Sequence, residues 1–202
     1  MTLPDPVALS APLPSPAPSP ELLHRLAIRR SAPAQALTAP GPSASQIADI
    51  LTLAARTPDH GKLFPWRFVV MGPVSRGAIA EQLRAMAIAK SLPPKATSVL
   101  AKLTAAPTTV LVISTAAPAS KPIWEQELSA GAVCMNLEHA ASGFGFASSW
   151  ITDWYSYDAE AAALFGVREG EKVAGFIHIG TAAEPLLERD RPNVAALTTT
   201  LP

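Results

Sequence analysis

Cysteine is almost missing from this chain: Cys134 is the single one in 202 residues. That excludes an internal disulfide framework and any multi-cysteine metal site, and makes a reducing cytoplasm the simplest compartment. Histidine is scarce too. His24, His60, His139 and His178 stand apart from one another, none at the spacing of a two-histidine metal motif, so no metal centre is expected. Net charge is absent, with 16 basic and 16 acidic residues. Nucleic-acid binders advertise a basic stripe, so a nucleic-acid partner is not expected, although a small local anion pocket stays open. No run approaches the roughly 18 apolar residues of a membrane span. The N-terminus lacks the basic start and continuous apolar run of a signal peptide. No G-x-S-x-G elbow, no G-x-x-x-x-G-K-S/T loop and no G-x-G-x-x-G turn is present, which removes the anchors of hydrolase, P-loop and Rossmann readings.

What is plentiful is proline, 21 residues, and apolar side chains, 49% of the total against 16% charged. Residues 1–20 are built from Pro, Ala, Ser and Leu, a composition that favours a flexible, solvated extension. Residues 21–202 then form a single domain with a large core. Periodicity predicts helices over 21–30, 46–56, 75–90, 95–104, 122–142 and 158–165. Ser43 or Ser45 caps the second of these. Strands are expected at 66–71, 108–114, 144–151 and 173–181, where β-branched and aromatic residues concentrate. Strand 108–114 is a nearly continuous apolar run and reads as buried on both faces. Helix 122–142 is small and apolar almost all round, which suits the centre of a dimer as readily as the centre of a monomer. The pattern is that of layered helices and strands, with helices on both faces of the sheet.

Residues 56–71 read as a helix end, a tight polar loop and a buried strand. Pro58 and Gly61 shape the turn, and Arg56, Asp59, His60 and Lys62 gather in it. Arg29-Arg30-Ser31 lies where the first helix gives way to a turn. Two guanidinium forks, a hydroxyl and free backbone N–H groups suit a phosphate, while two arginines closing a helix C-terminus is the plainer alternative. Arg189 and Arg191 form a late cationic pair in an irregular tail. Cys134 lies in the most apolar helix and reads as inert core.

Taken together these segments resemble one family. Arg29-Arg30-Ser31 after a first helix is similar to the R-R-S motif that opens the nitroreductase family of flavoproteins. Ala54-Ala-Arg-Thr-Pro-Asp-His60, ending at Pro65-Trp66, resembles the family's next motif, and its P-D-H variant points to a compact subgroup of NAD(P)H nitroreductases. Trp124-Glu-Gln-Glu-Leu-Ser-Ala-Gly131, Gly143-Phe-Gly145 leading to Ser149-Trp-Ile-Thr152, and Val173-Ala-Gly-Phe-Ile-His-Ile-Gly-Thr181 follow in family order. The resemblance covers about residues 21–192.

It implies an α+β sandwich with a central, mainly antiparallel sheet, and an intertwined homodimer with FMN at the interface. Carried over by motif, Arg29, Arg30 and Ser31 hold the FMN phosphate and ribityl end. Arg56 and His60 also contact FMN, with His60 reaching across from the other subunit. Trp150, Ile151 and Thr152 line the flavin, and Arg189 or Arg191 completes the phosphate site. Residues 140–145 fall where the subgroup admits the nicotinamide nucleotide. The implied reaction is ping-pong: NAD(P)H passes hydride to FMN, and a nitroaromatic, quinone or similar conjugated electrophile takes the electrons. No protein acid, base or nucleophile is implied; Lys62 is a candidate for the positive group near the flavin. Two departures stand out. Phe64 replaces the usual Gln before Pro-Trp, and Gly61-Lys62 replaces the common Asn. They leave room for a flavin-binding protein of this fold with other redox chemistry or no turnover.

Overall fold

The computed structural model describes residues 3–201. Its centre is a sheet of five strands: β1 (Leu37–Thr38), β2 (Trp66–Met71), β3 (Thr108–Ser114), β4 (Ala147–Ile151) and β5 (Lys172–Ala182). Every pairing among them is antiparallel. β3 lies between β2 and β5. The other edge of β5 is shared. β4 takes its middle, with Ala147 opposite Gly180 and Ile151 opposite Phe176, and β1 takes its end, with Leu37 opposite Ala182.

The β-branched run in β3 does what its composition requires. Val110, Leu111, Val112 and Ile113 are fully buried, because side chains alternate between two covered faces. On one face α2 (Ala44–Ala54) and α6 (Ile123–Gly143) pack Ile47, Ile50, Val133 and Leu137 against Val110, Val112, Ile177 and Ile179. On the other, α3 (Pro73–Ala89), α5 (Leu100–Ala105) and α7 (Ala159–Ala163) pack Leu83, Leu103 and Ala161 against Leu111, Ile113 and Phe176. Helices on both faces of an antiparallel sheet make this an α+β fold. Cys134 is buried in the first core, and burial pushes its thiol up to about 12, as expected of an inert cysteine.

Several boundaries differ from the periodicity. α1 spans Pro20–Ile28, capped by Ser19, and stops one residue before Arg29. α2 starts at Ala44, two residues early, because Ser43 and Gln46 form a capping box. The helix expected over 95–104 is two short ones, α4 (Lys95–Ser98) and α5; the ladder tightens at Val99, whose carbonyl accepts from the Lys102 N–H at 3.0 Å. β4 begins at Ala147 rather than 144. Phe144–Phe146 instead close α6: Phe146 N–H bonds Ala141 O and Gly145 N–H bonds Ser142 O, both at 3.0 Å, with Gly145 at φ 86. This is the Schellman end that glycine favours, and it overrides the aromatic strand signal.

Candidate functional site

α6 runs along the sheet and has different company at its two ends. At its C-terminal end the turn after α1 comes in beside β4. The Ala32 N–H donates to Ser148 O at 2.9 Å, so the segment Arg29–Ser31 is tied to the free edge of β4. Arg25 in α1 donates to Ser142 O at 3.1 Å, placing a cation on the orphan carbonyls of α6. The C-terminal tail crosses the same turn. Arg30 Nε donates to Leu187 O at 2.8 Å, and Arg191 donates to Arg29 O at 2.9 Å. Arg29 donates to the Ser31 hydroxyl at 3.2 Å. Between these segments opens a cleft of about 450 Å³, lined by Arg29, Arg30, Glu138, Gly145, Ser148 and Leu186 among others. Arg29, Arg30, Ser31 and Arg191 therefore converge. Of the late pair it is Arg191 that meets the turn; the hydrogen bonds of Arg189 come from its backbone N–H, to Glu188.

Trp150, Ile151 and Thr152 sit at the end of β4 and do not share a direction. Trp150 is on the α6 face, opposite Ile177, its indole N–H donating to Ala174 O at 3.1 Å. Its ring covers Gly175 so closely that a Cβ there would sit 2.0 Å from Nε1. Ile151 turns to the opposite face and packs with the second core, as strand alternation demands. Only its backbone faces the strand edge. Thr152 pairs its hydroxyl with the Tyr157 hydroxyl at 2.7 Å.

At the other end of α6 lies the loop that follows α2. It steps along the helix toward its N-terminus. Asn136 donates to Thr57 Oγ1 at 2.8 Å, Ser129 donates to Pro58 O at 2.6 Å, and His60 Nδ1 meets Glu125 Oε2 at 2.6 Å. Asp59 accepts the Phe64 N–H at 2.7 Å, which closes the turn. Lys62 and Phe64 take positive φ of 55 and 49, beside Gly61 at 92. Such angles are uncommon for residues with side chains and cost on the order of 1 kcal/mol or more each. Arg56 and His60 are exposed here. The structure thus brings Arg29, Arg30, Ser31, Arg191 and the start of β4 together and leaves His60 elsewhere. Glu125 and Glu138 are thirteen residues apart on α6, which is about 20 Å at roughly 1.5 Å per residue.

Sequence reasoning missed Glu138, Ser148, Glu125 and Arg25. Glu138 and Ser148 meet only through the contact of α6 with β4, with the Ser148 hydroxyl donating to Glu138 Oε1 at 3.1 Å. Glu125 had a local signal, a carboxylate in the same motif as Trp124, but its partner is 65 residues away. Among the described residues no group of acidic, histidine and cysteine side chains could hold a metal ion, and no helix is long and apolar enough to cross a membrane.

The donors gathered in the cleft are what a phosphate monoester recruits: guanidinium forks, a hydroxyl and a strand edge. Residues 26–181 match the model of the nitroreductase family. The chain belongs to the nitroreductase family. A Haemophilus influenzae protein named "Putative NAD(P)H nitroreductase" is 36% identical over 151 residues, 73% of this chain and 82% of that one. YdjA of Escherichia coli K12, which carries the same description, is 33% identical over 163 residues, 80% of this chain and 88% of its own. Among solved structures, a nitroreductase from Bacteroides fragilis with bound FMN superposes with a TM-score of 0.71 at 25% identity, over 91% of this chain and all of that one. A nitroreductase-like family protein from Bacillus cereus reaches a TM-score of 0.76 at 17% identity, over 93% of this chain and 99% of that one, which speaks for the fold alone.

Proposed function

We propose that this nitroreductase-family protein is an FMN-dependent oxidoreductase that takes hydride from NADH or NADPH and reduces conjugated electrophiles such as nitroaromatics and quinones. The observation that carries the reading is the meeting of Ser31 and Arg191 with the turn whose Arg29 and Arg30 line a cleft beside the free edge of β4. The residues fit the group. The cleft supplies fixed positive charge for a phosphate, and β4 leads away from it toward Trp150 and Thr152, along which a ribityl chain and ring system would have room. Bound FMN supplies the hydride-accepting and electron-donating chemistry. The chain's own work is to hold and orient. Arg29, Arg30 and Arg191 would neutralise the phosphate, Ser31 would add a hydroxyl, and the backbone edge near Ile151 and Thr152 would offer N–H and C=O groups to the ring. Residues 140–145, the small-residue end of α6, leave room for the nicotinamide nucleotide.

The active form in this reading is a homodimer. α1 buries none of its residues, and Leu22, Leu23, Leu26 and Ile28 stay between 46% and 66% exposed. On α6, Ile123, Trp124 and Leu128 are likewise exposed, by 42%, 66% and 53%. Exposed apolar faces of this kind mark association surfaces. A second copy crossing α6 antiparallel would carry His60 of the partner subunit to the cleft end, which is how two groups about 20 Å apart in one chain would serve a single ligand.

The deciding measurement is the visible spectrum of the purified protein, before and after NADH or NADPH is added without oxygen. The expected result is a yellow protein that bleaches with one of the two donors. A yellow protein that bleaches with neither would leave a flavin-binding protein without this turnover. A colourless protein that takes up no added FMN would overturn the reading.

A further inference from the structure

The cationic cleft has a carboxylate in its floor. Glu138 is 5% exposed and faces the same cleft as Arg29 and Arg30. Its Oε1 accepts from the Ser148 hydroxyl at 3.1 Å. No arginine of the cleft closes an ion pair with it: Arg29 donates to Ser31, Arg30 to Leu187, and Arg191 to Glu188 and Arg29 O. The groups that face it are Arg29 from the turn, His139 and Cys134 from its own helix, and Ser148 from β4, with Arg25 of α1 lining the same cleft. A buried carboxylate beside a site that binds anions is a contradiction if it stays ionised. A doubly charged phosphate brought next to it in a water-poor cleft repels it.

We propose that Glu138 makes filling of this cleft by a phosphate monoester proton-coupled. In the open cleft it is the negative counter-charge that lets several arginines sit together. When the phosphate arrives, the carboxylate takes one proton from solvent and becomes neutral, and the arginines turn to the ligand. Ser148 holds the carboxyl group in place in both states. Burial already pushes the Glu138 carboxyl above its ordinary range, against the lowering pull of the Ser148 hydroxyl, the Arg29 charge and His139. This places the neutral form within reach of one additional negative charge. The inference deepens the FMN reading and rests on it for the identity of the phosphate ligand.

The test is isothermal titration calorimetry of the flavin-free full chain with FMN at pH 7.5, in two buffers of different ionisation enthalpy. The difference in heat counts protons. FMN's own phosphate is mostly doubly ionised at that pH, so uptake reports on the protein. The expected result is uptake approaching one proton per FMN by the wild-type chain, and none with riboflavin, which has the ring but no phosphate. Glu138→Gln should take up no proton and, at pH 8.5, bind FMN at least about 50-fold more tightly, since the like charge is gone and uptake near one proton at pH 7.5 requires a pKa shift of about two units or more. Wild-type binding without proton uptake overturns the proposal, as does equal uptake by Glu138→Gln. The wild-type measurement stands even if that variant does not fold. If the chain takes no FMN, titration with sodium sulfate, which stays doubly ionised throughout, decides. Proton uptake with sulfate keeps the role of Glu138 and overturns only the flavin reading, and no uptake overturns both.

Discussion

The two ends of α6 are built on opposite principles. The C-terminal end is tied down within one chain, although α1 beside it keeps its own apolar face exposed. A Schellman turn closes the helix, Arg25 caps it, Ala32 pins the Arg29–Ser31 turn to β4, and the tail is stitched across by Arg30 and Arg191. The N-terminal end is exposed and strained. Its loop holds Lys62 and Phe64 at positive φ, Phe64 is 65% exposed, and Ile123, Trp124 and Leu128 are only partly covered. The first end is a preorganised, arginine-lined cleft, which we propose as the phosphate site. The second has the features of a surface awaiting a partner, since strain and exposed apolar area persist only where something else makes use of them.

The sharpest way to break the tied-down end is Gly175→Ala. The new Cβ would meet Trp150 Nε1 at 2.0 Å and push the indole off Ala174 O, with the β4–β5 pairing behind it. The expected loss is about 3 kcal/mol or more, read from urea unfolding midpoints. A loss under about 1 kcal/mol would mean that the indole moves freely and that the β4 end is not fixed by it.

Next in size is an acid limb set by the sheet and not by the cleft. His178 is fully buried, its Nδ1 on Thr109 Oγ1 at 2.8 Å and its Nε2 without a partner. Burial, and then the nearby Arg76 charge, lower its pKa from 6.5 to about 3. The folded form therefore keeps the ring neutral while the unfolded chain protonates it. Its contribution is complete above pH 6.5 and is lost as the pH falls from there toward 3. The expected change is on the order of 3 kcal/mol across that window, and His178→Leu should flatten this part of the stability–pH curve. An unchanged curve in the variant would assign the acid limb to other groups.

The comparison itself is tested by mixing. Arg29→Ala and His60→Ala should each weaken FMN binding, about 10- to 100-fold for Arg29, in line with the loss of a charge-assisted hydrogen bond. In a mixed dimer with one chain of each kind, one of the two sites pairs an intact Arg29 with an intact His60. Such dimers should regain one FMN per two chains by absorbance. No recovery would mean that the two residues do not meet across an interface. The smallest effect is at the strained end. Phe64→Gly removes the positive-φ penalty at an exposed position and should stabilise the fold by up to about 1 kcal/mol in the same unfolding assay. A loss of stability would show that the phenyl ring is packed in the assembled protein.

Some of this was legible beforehand because the signals were local. The β-branched runs located β2 and β3 to the residue, Ser43 was one of two caps expected for α2, and Arg29-Arg30-Ser31 drew attention to the turn that lines the cleft. Other features were not, because they depend on groups far apart in the chain. Phe144–Phe146 looked like strand until the closing bonds of α6 claimed it, and the two residues of β1 are too few to make a pattern. Glu138 reads as an ordinary helical carboxylate until Ser148 arrives from β4. Ile151 was expected to line the flavin, but strand alternation turned its side chain into the second core. The sequence by itself determined most of the elements and the residue types at the arginine-lined cleft, since helix caps, strand runs and charge are properties of short stretches. The tertiary structure alone decided which end of α6 each group serves, and that the cleft has an acidic floor, because these follow from how helix and sheet pack.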